Sequence, residues 1–127
     1  MKRAWLMLPG AVCIAVILTA CGSGESASGD AAAGEVLFKS GGNSQVPCAT
    51  CHSVEDVTLV GPSLQGIASR AGERMEGTSA EDYLRQSISE PSVYLVEGYA
   101  DVMYKDYAER LSEEDINNLV AYLMTLE

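Results

Sequence analysis

Residues 48–52 read Cys48-Ala49-Thr50-Cys51-His52, and the rest of the chain is read outward from them. Two thiols three positions apart, followed at once by an imidazole, form the C-x-x-C-H attachment pattern of a c-type haem. The spacing has a chemical reason. Thiols on one local turn can add to the two vinyl groups along one edge of a porphyrin, and the next residue then lies beneath the ring, where an imidazole nitrogen reaches iron. Competing uses of the pair fail on inventory. A structural zinc takes about four N or S ligands, whereas the 127-residue chain has 4 Cys and 1 His in all, and Cys13 and Cys21 lie far upstream. A thioredoxin-like dithiol follows a strand within a βαβ unit, and no stretch alternates convincingly with the period of two that a strand requires. A disulfide across two residues would be an unusual staple and would leave the sole His beside it by coincidence.

The flanks read as helices and loops. Ala31 to Lys39 favours helix, with Asp30 as its N-cap, and Gly41-Gly42-Asn43 stops it. Gly61-Pro62 signals a turn, and Ile67 to Arg70 a short helical turn. Ser79 to Asp82 opens a helix in capping-box style that runs to Glu90, before Pro91 ends it. Val93 to Lys105 is irregular. Ser112 and the acids after it start the last helix, in which Ile116, Leu119, Val120 and Leu123 form one apolar stripe at i, i+3, i+4, i+7. The expected class is all-α, with no internal repeat.

The N-terminus reads as an address and an anchor. Lys2 and Arg3 precede an uncharged run from Ala4 to Ala20, the layout of a secretory signal. Pro9 and Gly10 interrupt that run, which is at the lower limit for spanning a bilayer. Leu18-Thr19-Ala20-Cys21 resembles a bacterial lipobox, which implies cleavage before Cys21 and lipidation of that residue; an uncleaved membrane helix and an ordinary signal are the alternatives. Gly22 to Asp30 is Gly/Ser-rich, a flexible tether with a reach of about 17 Å. The expected organisation is thus a leader over 1–20, a lipid-anchored tether over 21–30 and one folded domain over 31–127. The chain would sit on the outer, periplasmic or extracellular, face of the cytoplasmic membrane.

Composition narrows the partners. With 18 Asp+Glu against 8 Lys+Arg the formal charge is −10, and losing Lys2 and Arg3 with the leader makes the remainder more acidic still. Nucleic-acid binding needs a cationic footprint and is disfavoured. A domain this small is also marginal on its own apolar side chains, so a covalently held cofactor adds core as well as chemistry.

On these motifs the chain resembles the small monohaem cytochromes c of the bacterial class I type. The resemblance covers roughly Gly34 to Leu126, and it implies a few helices wrapped around one covalent haem. In that family a Gly and an aromatic on the first helix pack against an aromatic on the last, and the matching positions are Gly34, Phe38 and Tyr122, with Leu119 beside them. The family's Gly-Pro is matched by Gly61-Pro62, with Pro62 against the proximal His52 and Leu64 lining the ring. The family places its second iron ligand in the irregular segment before the last helix, which implies Met103. With no second His, a thioether is the expected donor. Met124 on the last helix reads as a packing filler, and Met75, among Glu73, Arg74 and Glu76, as part of an exposed loop. Two departures stand out. Tyr104 follows Met103 where the family has Pro, and no Trp exists near a propionate, leaving Tyr94, Tyr99 or Tyr104 to donate that bond.

The function implied is one-electron carriage by a haem closed on both faces by His52 and Met103. The carrier would link a quinol-oxidising complex to a terminal oxidase or reductase, with redox proteins of a membrane respiratory chain as partners. Acidic side chains such as Glu81, Asp82, Glu113 and Glu114 read as steering charges or as solvated helix starts. The alternatives are a haem-based ligand sensor with a labile Met103 and a small haem peroxidase. The peroxidase would need an open iron and a distal base.

Overall fold

A computed structural model describes residues 29–127, and within them the chain is helical, with no strand. The leader, the lipobox at Cys21 and residues 21–28 of the tether lie outside the described residues. Five α-helices follow in order: α1 Ala31–Ser40, α2 Ile67–Arg70, α3 Ala80–Ser89, α4 Tyr107–Arg110 and α5 Glu113–Leu123. Single 3₁₀ turns cover Gly42–Ser44, Cys48–Thr50 and Ala71–Glu73. No described helix is long and apolar enough to cross a membrane.

The caps read from sequence are in place. Asp30 accepts from the amides of Ala32 and Ala33. Ser79 accepts from Asp82 N at 3.1 Å. Ser112 and Asp115 form a reciprocal capping box at the start of α5. Each satisfies amides that a helix start leaves orphaned. Gly41, at φ 78°, supplies the left-handed residue that ends α1. Gly29 and Asp30, read as the end of the tether, are instead docked. The Asp30 amide donates to Asn118 Oδ1 at 2.7 Å, and the backbone at Gly29 lies against that of Asn117.

The organising contact is α1 against α5, the most extensive between helices. Gly34 is buried at the crossing, where a Cβ would fall 2.8 Å from Tyr122 Cβ and closer still to the Asn118 backbone. The missing side chain is what lets the helices touch. One turn further on, the Phe38 and Tyr122 rings meet in a tilted pair with centroids 5.5 Å apart. The stripe of α5 is buried as the periodicity predicts: Ile116, Leu119, Val120 and Leu123 join Phe38, Tyr83, Leu84 and Ile88 in one core. Met75 departs from expectation. It is half-buried and packs against that core rather than standing in an exposed loop, and Met124 packs there too. The short helix α4 falls in a stretch the sequence left unassigned, and its Tyr107 is buried.

The haem cleft

Between α1, α3, α5 and the two long loops lies a deep, mostly apolar cleft. Its empty space, open mouth included, is about 1280 Å³. Phe38, Leu64, Ile67, Leu84, Leu119 and Leu123 are among the residues of its wall. The residues chosen from sequence converge on it: Cys48, Cys51, His52, Pro62, Leu64, Tyr94, Tyr99, Met103 and Tyr104 all line it.

Cys48 opens a 3₁₀ turn whose end puts Cys51 N on Cys48 O at 3.1 Å, with His52 N on the same carbonyl at 2.9 Å. One turn of backbone therefore presents both sulfurs and the imidazole together. Both thiols are free. Burial pushes the Cys48 thiol above its ordinary value, the opposite of the lowered pKa that marks a redox-active or thiolate cysteine. Among the described residues no group of three His, Cys, Asp or Glu side chains could hold a metal ion.

His52 is held from behind. Its Nδ1 lies 2.8 Å from the Pro62 carbonyl, which only accepts, so Nδ1 carries the proton and Nε2 keeps its lone pair. A carbonyl behind a ligating imidazole fixes the ring and raises its basicity. Gly61 makes the approach possible, since a Cβ there would lie 2.5 Å from His52 Cε1. The loop is returned to the haem turn by Gly61 N on Cys51 O at 2.8 Å and Leu64 N on Ser53 O at 2.7 Å. Tyr107 pins the other side, donating to the Val46 carbonyl at 2.9 Å just ahead of Cys48. Its ring meets Tyr104 edge-on at 5.0 Å, and Tyr94 meets Tyr83 likewise at 5.6 Å.

Of the methionines among the described residues, Met103 lines the cleft and Met75 and Met124 do not. The two arginines on the wall, Arg70 and Arg74, were not among the pocket residues read from sequence. Arg70 donates to the carbonyls of Gln65 and Ser63. Arg74 buries its Nε with no partner among the described residues. A buried donor of that kind is costly unless something accepts from it, and a carboxylate of a group seated in the cleft would. Tyr99 shares with both arginines a side crevice that opens beside Pro62, whereas Tyr94 and Tyr104 are engaged in ring contacts. Of the three tyrosines suggested for a propionate bond, Tyr99 therefore stands beside the cationic pair. The only signal for Arg70 and Arg74 was their spacing of four residues around a short helix.

Paired thiols, a braced imidazole, an apolar cleft and a buried unpartnered guanidinium define a protein that holds one haem covalently through Cys48 and Cys51. The cytochrome c family matches residues 31–127, and the chain belongs to that family as a small all-α class I member. The chain is also 29% identical over 106 residues to the cytochrome c-type cyt cy of Rhodobacter capsulatus, an alignment covering 78% of this chain. The chain spans about half the length of that relative, 50%.

Proposed function

We propose that this cytochrome carries single electrons with His52 and Met103 as the two axial ligands, and that it does so from a lipid anchor at Cys21. The observation that carries the ligand assignment is the meeting of the chain's sole His and Met103 in one cleft, while the other described methionines pack elsewhere. The haem supplies the one-electron chemistry between ferrous and ferric states. The chain's residues do the rest. Pro62 O orients the His52 ring and leaves Nε2 for iron. The Met103 thioether, a soft donor, raises the potential, and the apolar wall favours the less charged reduced form. With His52 and Met103 both bound, the iron would have no open position for oxygen or peroxide, and no second His lines the cleft to act as a distal base.

The Cys21 anchor rests on the lipobox-like run and the Gly/Ser stretch after it. Held at the outer face of the cytoplasmic membrane, the domain would pass electrons from a quinol-oxidising complex to a terminal oxidase or reductase. Absorption spectra of the purified protein in both redox states test the core of this reading. A low-spin haem c spectrum, a ferric near-infrared band of thioether ligation and no carbon monoxide binding at neutral pH are expected. Ready carbon monoxide binding by the native ferrous protein would favour the sensor or peroxidase reading instead.

A further inference from the structure

Residues 92–106, which carry Met103, contain no Pro and no turn of helix. Their own hydrogen bonds do not fasten them to the rest of the protein. Among the described residues, those of residues 92–105 all stay within residues 90–105. Val93 N reaches Glu90 O, Tyr99 N reaches Val96 O and Val102 N reaches Ala100 O, and the Ser92, Asp101 and Lys105 side chains bond one another. The bond that leaves this part of the chain comes at its end. Tyr107 is buried at the start of α4, and its hydroxyl donates to Val46 O at 2.9 Å across 61 positions.

The acceptor is built to stay in place. Gln45, at φ 56°, is the only non-glycine residue with a positive φ among the described residues, and it turns the chain just before Val46. That conformation costs an L-residue about 1–2 kcal/mol, so the surroundings hold the turn against it. Val46 N donates to Ser44 Oγ at 3.2 Å, and the buried Ser44 hydroxyl donates to Gly41 O at 2.5 Å. Pro47, at φ −63°, joins Val46 to Cys48 through a locked torsion. Val46 O therefore moves with Cys48, whose sulfur holds the haem. On the other side the Tyr107 ring meets the Tyr104 ring edge-on, with centroids 5.0 Å apart and planes at 80°, and Tyr104 follows Met103 directly.

We propose that Tyr107 is a positioning residue for the Met103 thioether: its hydroxyl ties the ligand's segment to the haem turn, and that tie breaks when Met103 leaves the iron. The inference rests on the reading of Met103 as a ligand and adds what keeps that ligand in place. A ring alone would fill the same space. The hydroxyl adds a single point of attachment between the two chain segments that face each other across the cleft.

Cyanide titration of the ferric holoprotein at neutral pH tests this. Cyanide takes the sixth position only while Met103 is off. The iron–sulfur bond breaks and an iron–carbon bond forms, with no change of oxidation state. Apparent cyanide affinity therefore scales with the fraction of protein in which Met103 has left. Tyr107→Phe keeps the ring and removes only the tie, and should raise that affinity about threefold to tenfold. The binding rate should level off at high cyanide, at the rate with which Met103 departs, and that plateau should be higher in Tyr107→Phe. In the Met103→Ala background no ligand is left to hold, so adding Tyr107→Phe should change the affinity by less than about twofold.

Wild-type affinity in Tyr107→Phe overturns the proposal. So does an equal gain in the Met103→Ala background, which would make Tyr107 a general prop of the cleft. If Tyr107→Phe does not hold its haem, Tyr104→Leu reads the same tie from the other end. It should gain affinity about twofold to tenfold, again only with Met103 present, and no gain would overturn the proposal. Met103→Ala binding cyanide no more tightly than the native protein would strike the ligand reading itself.

Discussion

The crossing of α1 and α5 offers the sharpest test of how the fold is held. Replacing Gly34 by Ala puts a methyl 2.6 Å from the Asn118 carbonyl carbon and 2.8 Å from Tyr122 Cβ, where ordinary contact begins near 3.4 Å. Most of what it meets is backbone, which cannot rotate aside, so the helices must separate by about 1 Å. A gap of that size forfeits a quarter to a half of each dispersion contact across the seam. The seam includes the Phe38–Tyr122 pair, and overpacking strain adds to the loss, giving about 3 kcal/mol in total. For a domain of this length that lowers Tm by about 12–24 °C. Thermal unfolding of the haem-loaded protein, followed by far-ultraviolet dichroism and by the Soret band, reads it directly. The control is Gly72→Ala, whose methyl meets Ala80 at 3.7 Å, ordinary contact, and should shift stability by less than about 0.5 kcal/mol. A Gly34→Ala protein melting within about 2 °C of wild type would refute the argument that the bare Cα is what joins the helices.

Gly61→Ala should tilt the His52 ring, because the new methyl lies 2.8 Å from Nδ1 and 2.9 Å from Nε2. Weakening the bond to Pro62 O by about 1 kcal/mol makes the imidazole a poorer donor to ferric iron and raises the potential by roughly 40 mV in protein-film voltammetry. Met103→Ala should abolish the ferric near-infrared band, lower the potential and admit carbon monoxide, while Met75→Ala should do none of these; the reverse pattern would move the ligand to Met75. Tyr107→Phe removes the 2.9 Å bond to Val46 O and should destabilise by about 1–2 kcal/mol in guanidinium titrations at neutral pH. Burial, the largest cause, raises the Tyr107 phenol above its ordinary 10.0. The folded state therefore prefers the neutral phenol, and that stability is complete below pH 10.0 and is lost as pH rises beyond it. The variant should show a shallower alkaline decline than wild type. Cys21→Ala should release the protein from membranes with its haem colour intact, and a protein still pelleting with membranes would indicate an uncleaved helix.

What was legible in the sequence, and what was not, divides along one physical line. The haem turn, the caps at Asp30, Ser79 and Ser112 and the stripe on α5 are local: each is fixed by residues within one or two turns of one another. The family likeness added Gly34 against Tyr122, a pairing that no local pattern contains. The misses all depend on which distant segment arrives. Met75 looked exposed because Glu73, Arg74 and Glu76 surround it, yet the chain turns its thioether onto the core and leaves Glu73 and Glu76 in water. Tyr107 lies in a stretch left unassigned from sequence, and α4 carries its hydroxyl to Val46, sixty-one positions away in sequence. Asn118 carries no local signal in the sequence, and it is buried on α5 to receive the Asp30 amide across 88 positions. Arg70 and Arg74 follow the same rule with a difference. Their long apolar stems can lie along a wall while the charged ends turn elsewhere, so their place in the cleft is set by the Ser63 and Gln65 carbonyls and by whatever accepts from Arg74 Nε. The donor left unpaired among the described residues thus joins the paired thiols and the braced imidazole in pointing to a group seated in the cleft. It could be found only once the folded backbone showed that nothing among the described residues reaches it.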